Sequence, residues 1–275
     1  MIVGLKVKCM NYSGVTYPQG KFKALTLSYD DGKIFDKRLI QILNKYGIRG
    51  TFHLNAGLIQ QDTERIKLSE IKEVYANHEI ATHTYTHPTI ARCPLDKLPN
   101  EYLQDRLELE KAVGYPVLGH SYPNGSFNEE IKQLLPALGI KYARTIKSTD
   151  SFTLPQDWLE WNPTCHHNHH LLEHAKEFVG LYKKQYLYLF YVWGHSFEFD
   201  RDDNWDLMEK FGELVGNHED IWYCTNIEYY QYMVASKQLI FSVDSSIVEN
   251  PTNIDISISV DNELYVIKPG INYLD

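Results

Sequence analysis

The stretch KALTLSYDDGKIFDKRLIQILNKYGIRGTFHLN, residues 23–55, decides the fold. KALTLSYDD predicts a buried strand. GKIFDKRLIQILNKYG places apolar Ile34, Leu39, Ile42 and Leu43 at a helical period that stops at Gly47. IRGTFHLN is a second strand. A strand, a helix and a strand in this order form the unit of a parallel sheet. The first strand ends in two adjacent carboxylates, Asp30 and Asp31, which repel one another unless another part of the chain uses them.

The same unit recurs on the C-terminal side. LSEIKEVYANH predicts a helix with Ser69 as its N-cap residue, and EIATHT a third strand. DKLPNEYLQDRLELEKAVG is a helix ending at Gly114. VLGHSYPNG is a strand with a turn, NEEIKQLLPALG a helix and IKYARTI a strand. HLLEHAKEFVGLYKK, YLYLFYVWGHS, WDLMEKFGELVGNH and DIWYCTN continue as helix, strand, helix and short strand. About seven such repeats between residues 22 and 235 are enough to close a barrel. From Leu239 onward the chain is β-branched, alternating and turn-rich, which predicts an antiparallel appendage. The expected organisation is a distorted α/β barrel over residues 1–238 with a small β-rich unit over 239–275.

A chain of 275 residues with 43% apolar content can bury a substantial core, and its net charge of −9 argues against nucleic acid or an anionic membrane as partner. MIVGLKVKCMNYSG has no basic segment followed by an apolar one, and no apolar run approaches the roughly 20 residues of a membrane span. Cys9, Cys93, Cys165 and Cys224 are scattered, which fits reduced thiols. A cytoplasmic location follows if this is the whole chain, and a secreted or surface one if a leader has been removed. The 20 tyrosines suit sugar-lined clefts but serve more often as half-exposed core.

In an α/β barrel the working residues sit at the C-terminal ends of the strands. Those ends carry Asp30 and Asp31, then His83 and His87 in THTYTHP, Arg144 in YARTI, and His195 in VWGHS. Two imidazoles four residues apart plus one carboxylate make three ligands with a fourth position open, the set of a catalytic zinc ion. The HHNHH run, residues 166–170, is expected to be a solvent-facing loop, with an adventitious metal site as the sharper alternative.

LSYDDG, HTYTH, SYPNG and YVWGHS, in this order, resemble the NodB-homology polysaccharide deacetylases, carbohydrate esterase family four. The likeness covers residues 22 to 235. It implies a (β/α)7-type barrel, one divalent metal (most often zinc) and hydrolysis of N- or O-acetyl groups on a saccharide substrate. Carried over by position, Asp30 is the catalytic base, and Asp31, His83 and His87 are the metal ligands. The backbone N–H of Asn124 faces the oxyanion, and His195 is the general acid with Trp193 as an apolar neighbour. Tyr122, Tyr85, Trp161 and Trp193 are candidates for stacking on sugar faces.

Two departures stand out. Ser121 occupies the place where the family has an arginine that orients the base, and Arg144 is expected to supply that charge from the next strand. The element that supports the acid histidine is only faintly echoed by Asp157 and Trp158. Alternative readings are a C–N hydrolase acting on a cyclic amide or imide, a catalytically silent carbohydrate-binding relative, and assembly as a homo-oligomer. The absence of a Gly-rich phosphate loop disfavours a nucleotide enzyme.

Overall fold

Lys23–Asp30 forms a strand in which every residue is buried, and the barrel is built around it. The computed structural model describes residues 13–274. In chain order the strands are β1 (Ser13–Val15), β2 (Lys23–Asp30), β3 (Gly50–Leu54), β4 (Glu79–Thr82), β5 (Gly119–Ser121), β6 (Tyr142–Arg144), β7 (Cys165–His166), β8 (Tyr188–His195) and β9 (Ile221–Tyr223). They are followed by β10 (Ile240–Phe241), β11 (Ile247–Asn250), β12 (Ile256–Val260), β13 (Glu263–Ile267) and β14 (Gly270–Tyr273).

The main sheet runs β6-β5-β4-β3-β2-β8-β7, and its pairs are parallel. One edge of β2 pairs with β8 along its whole length. The other edge is shared, with β9 from Lys23 to Leu25 and β3 from Leu27 to Asp30. The segment 161–166, which includes β7, then bridges β6 and β8. Trp161 N donates to Ala143 O at 2.9 Å, Thr145 N donates to Trp161 O at 3.1 Å, and Cys165 pairs with Val192 of β8. The sheet therefore curls into the expected distorted (β/α)7-type barrel.

Alternation along β2 explains why the whole strand is buried. Leu25, Leu27 and Tyr29 point outward into the core beneath the helices. Thr26, Ser28 and Asp30 point inward, where their side chains are hydrogen-bonded to Asn226 and Arg144. Burying one such leucine contributes about 1.5–3 kcal/mol. The inward polar groups are tolerated because each has a partner.

The barrel floor is plugged by the start of helix Asn226–Ser236, which the helical periods read from the sequence did not include. Its signal was a capping box, Thr225 with Glu228 three residues on. Asn226 Oδ1 accepts from Thr26 Oγ1 at 2.8 Å, and its Nδ2 donates to Tyr191 OH at 2.6 Å. Glu79 accepts from Thr51 Oγ1 and Ile227 N at 2.8 Å each and from Tyr142 OH at 2.7 Å. Ser69 does not cap the helix expected there. The segment is a 3-10 turn, Leu68–Glu70, leading into Ile71–Val74, and Lys67 N donates to the Glu70 carboxylate at 3.3 Å instead.

The C-terminal segment, joined by β1, forms two three-stranded antiparallel sheets, β1-β12-β13 and β10-β11-β14. The expected boundary at 238/239 lies between helix Asn226–Ser236 and β10, yet β1 crosses it, pairing Ser13 with Val260 and Val15 with Ile258. Tyr17, Tyr142, Tyr191, Tyr229 and Tyr232 pack with Trp161 between this unit and the barrel, so these tyrosines are core residues. Among the described residues no helix is long and apolar enough to cross a membrane.

Candidate active site

Asp30 closes β2, and its register neighbours are His53 on β3 and His195 on β8. A regular strand would aim Asp30 and Asp31 at opposite faces. Asp31 avoids this with φ +81°, followed by Gly32 at +63°. Asp adopts the left-handed region more readily than most residues. The turn is pinned by Asp31 N donating to His53 O at 2.9 Å and by the Arg65 guanidinium donating to Asp31 O.

Asp30 is buried, and the Arg144 guanidinium, itself fully buried, donates to both of its carboxylate oxygens. Ser121 Oγ adds a third donor at 3.0 Å. Burial pushes the Asp30 pKa up, but Arg144, His83, His53 and His195 together outweigh it and hold the carboxyl well below the usual carboxylate range. Trp193 lies against the other side of Arg144, with the guanidinium carbon 4.5 Å from its ring centre. Thus Trp193 supports the arginine as well as neighbouring His195.

His83 and His87 come from the loop after β4. Thr84 at φ +64° and His87 at +57° give this loop an uncommon conformation, costly above all for the β-branched Thr84. Asn55 Nδ2 ties it down by donating to His83 O at 2.6 Å and Thr84 O at 2.9 Å. His83 Nδ1 lies 2.8 Å from Ser121 O. A carbonyl only accepts, so Nδ1 carries the proton and Nε2 presents a lone pair. One ligand atom each from Asp31, His83 and His87 lies within 4.8 Å of the other two. Two imidazoles and a carboxylate, one ring with its tautomer fixed from behind, form a donor set suited to a divalent cation such as zinc.

His195 ends β8. Its side chain is about a quarter exposed, and its Nδ1 lies 3.6 Å from Glu198 Oε2. Burial lowers the His195 pKa, but Glu198 and the Asp30 and Asp31 carboxylates more than offset this and raise it. Asn124 sits on the turn Pro123–Gly125 after β5, at φ +56°. Tyr122 and Trp161 are buried, Tyr122 donating to Leu159 O at 2.7 Å, so both pack rather than face a sugar. Tyr85 is half-buried and bonded to Glu108. Asp157 pairs with Lys132 at 2.8 Å on the surface and caps a turn.

Three features escaped the sequence reading. His53 lies beside Asp30 with both ring nitrogens buried and unpartnered, and its only signal was its place at the end of IRGTFHLN. Glu198 serves His195 from the first turn of the following helix, beyond the strand end where ionisable residues were sought. The HHNHH run is not uniformly solvent-facing. His166 lies in β7, and His167 is fully buried, stacked against Tyr29 and Phe199 at 5.7 and 4.1 Å.

Comparison with known proteins agrees with this architecture. The family model for polysaccharide deacetylase matches residues 18–143. A peptidoglycan-N-acetylglucosamine deacetylase of Bacillus cereus is 26% identical over 138 residues, which cover 50% of this chain and 61% of that protein. The match therefore spans less than two thirds of the curated relative's length. Among solved structures, a Mycobacterium smegmatis protein carrying the polysaccharide deacetylase designation superposes with TM-score 0.62 at 17% identity, over 82% of this chain and 95% of that one. The Xyl-CE4 domain of a multidomain xylanase from the hindgut metagenome of Trinervitermes trinervoides gives TM-score 0.53 at 20% identity, over 78% and 92%. A CE4-family pseudoenzyme from Bacillus anthracis gives 0.50 at 18% identity, over 76% and 65%. The structural likenesses carry the fold. The sequence matches show that the part of the chain holding Asp30, Asp31, His83 and His87 is similar to polysaccharide deacetylases.

Proposed function

We propose that this chain is a metal-dependent hydrolase that removes acetyl groups from a saccharide. The observation that carries the reading is the juxtaposition of the Asp31, His83 and His87 donor set with Asp30, whose carboxylate is locked by Arg144. A divalent cation, zinc by the donor set, held by Asp31, His83 and His87 would polarise the acyl carbonyl and lower the pKa of water. The chain's own residues do the rest. Asp30, kept ionised by Arg144, takes the proton of the attacking water. The Arg144 contact to both oxygens fixes the carboxylate plane, the role expected of the arginine that Ser121 replaces. His195, adjacent to Asp30 across the β2–β8 register, gives a proton to the departing amine or alkoxide. Asn124 presents its backbone N–H from the turn after β5 to the developing oxyanion.

The test is acetate release from a panel of N- and O-acetylated saccharides by metal-loaded protein, beside Asp30→Asn. Release by the wild type and its loss in the variant is the expected result. A silent carbohydrate-binding relative is the second reading, favoured by the serine at position 121 and the shared fold of the Bacillus anthracis pseudoenzyme. Saccharide binding without acetate release across the panel would establish that reading instead.

A further inference from the structure

A second group of side chains of metal-ligating type lies at the ends of β7 and β8. His166 Nε2 is 3.0 Å and His167 Nε2 3.2 Å from one oxygen, Glu198 Oε2. His195 Nδ1 stands 3.6 Å and the His195 backbone N 3.3 Å from the same atom. A carboxylate oxygen has two lone pairs, so four nitrogens crowd an acceptor that serves about two well. Its other oxygen has far less to do, with Arg201 at 3.8 Å.

The hydrogen bonding shows that the crowding is not relieved. His167 is fully buried, yet neither ring nitrogen has a hydrogen-bond partner, and the buried His195 Nδ1 has none either. His167 is also held in place. Its ring stacks on Phe199 and Tyr29, and a Cβ on Gly194 would lie 1.9 Å from its Nδ1, so Gly194 is required for the ring to sit there. A buried, immobilised imidazole with an unpartnered nitrogen aimed at a carboxylate is what a coordination site provides. Ligand bonds of about 2.0–2.1 Å in a tetrahedron place neighbouring ligand atoms about 3.3 Å apart, close to the two imidazole–carboxylate separations.

We infer that His166, His167 and Glu198 form a second divalent-cation site of the zinc type, separate from Asp31, His83 and His87. One contact opposes it. Asn168 N donates to His166 Nδ1 at 3.1 Å, which leaves the ring proton on Nε2, the atom that would coordinate. Binding requires that hydrogen bond to be given up and the proton to move to Nδ1. The second site is consequently weaker and more exchangeable than the first.

The experiment is equilibrium dialysis of the full chain against zinc, with bound metal counted by elemental analysis, for the wild type, His166→Ala, Glu198→Gln and His83→Ala. The expected result is two equivalents in the wild type and one in each variant, with the equivalent that His166→Ala retains binding at least tenfold tighter than the one it loses. His166 is partly exposed, so its truncation leaves the core intact, and circular dichroism checks each variant's fold. Two equivalents in folded His166→Ala overturn the site. A single wild-type equivalent, lost in His83→Ala and kept in His166→Ala, overturns it while leaving the first site standing. A single equivalent with the reverse dependence supports the second site and removes the metal from the proposed function.

Discussion

The mouth and the floor of this barrel both bury a carboxyl, and they handle it in opposite ways. At the mouth Asp30 meets a buried guanidinium and is held ionised. At the floor Glu79 meets only neutral donors, from Thr51, Tyr142 and Ile227, and burial pushes its pKa up to about 7 despite them. The difference separates two uses of polarity. A counter-charge keeps a carboxylate ionised at the end where strands open into loops. Neutral hydrogen bonds fasten the closed end, where helix Asn226–Ser236 enters.

The largest effect that can break this contrast is on activity. Asp30→Asn should lower kcat/KM for acetate release by about 10³-fold with the fold retained, measured by steady-state kinetics and circular dichroism. A loss under tenfold would remove the mouth carboxylate from the chemistry. Next is Arg144→Ala, which strands the buried Asp30 charge and should cost about 3–5 kcal/mol in urea unfolding. Arg144→Lys should recover only part, since an ammonium cannot grip both oxygens in the same planar way.

The floor makes a prediction of a different kind. Glu79 in the folded state holds its proton up to about pH 7, whereas its ordinary value is 4.5. Between these values the folded state binds the extra proton, so Glu79's contribution to stability falls as pH rises from 4.5 and levels off above 7. Glu79→Gln has no such proton. Its stability relative to the wild type should therefore improve by on the order of 3 kcal/mol between pH 4.5 and 7.5, with turnover of saturating substrate little changed. A difference independent of pH would mean that the floor carboxyl is ionised like the one at the mouth. The smallest effect is Ser121→Ala, which deletes one hydroxyl contact to Asp30 and one to His83 and should cost about 1 kcal/mol in the same urea assay.

Much of the mouth was legible because its residues lie at strand ends, where an α/β order alone says where to look. Asp30, Asp31, His83, His87, Arg144 and His195 could all be nominated from that rule. What was hidden depends on side-chain direction and on the loops. No local pattern shows that Ser121 reaches both Asp30 and His83, or that Trp193 covers a guanidinium. The HHNHH run misled because composition cannot separate His167, sealed under Phe199, from its exposed neighbours. The floor was missed for a related reason. Asn226 acts as a plug only once the barrel exists, and before that it is a polar residue after a short strand.

The pairing of β1 with β12 has a consequence for how the molecule is made. Ser13, Gly14 and Val15 find their partners in Val260, Ser259 and Ile258, about 245 residues later in the chain. A ribosome delivers the first strand long before anything exists for it to pair with, and barrel strands can associate meanwhile. Among the described residues this is the strand pairing of greatest sequence separation, so β1 must wait for β12 before it can find its place.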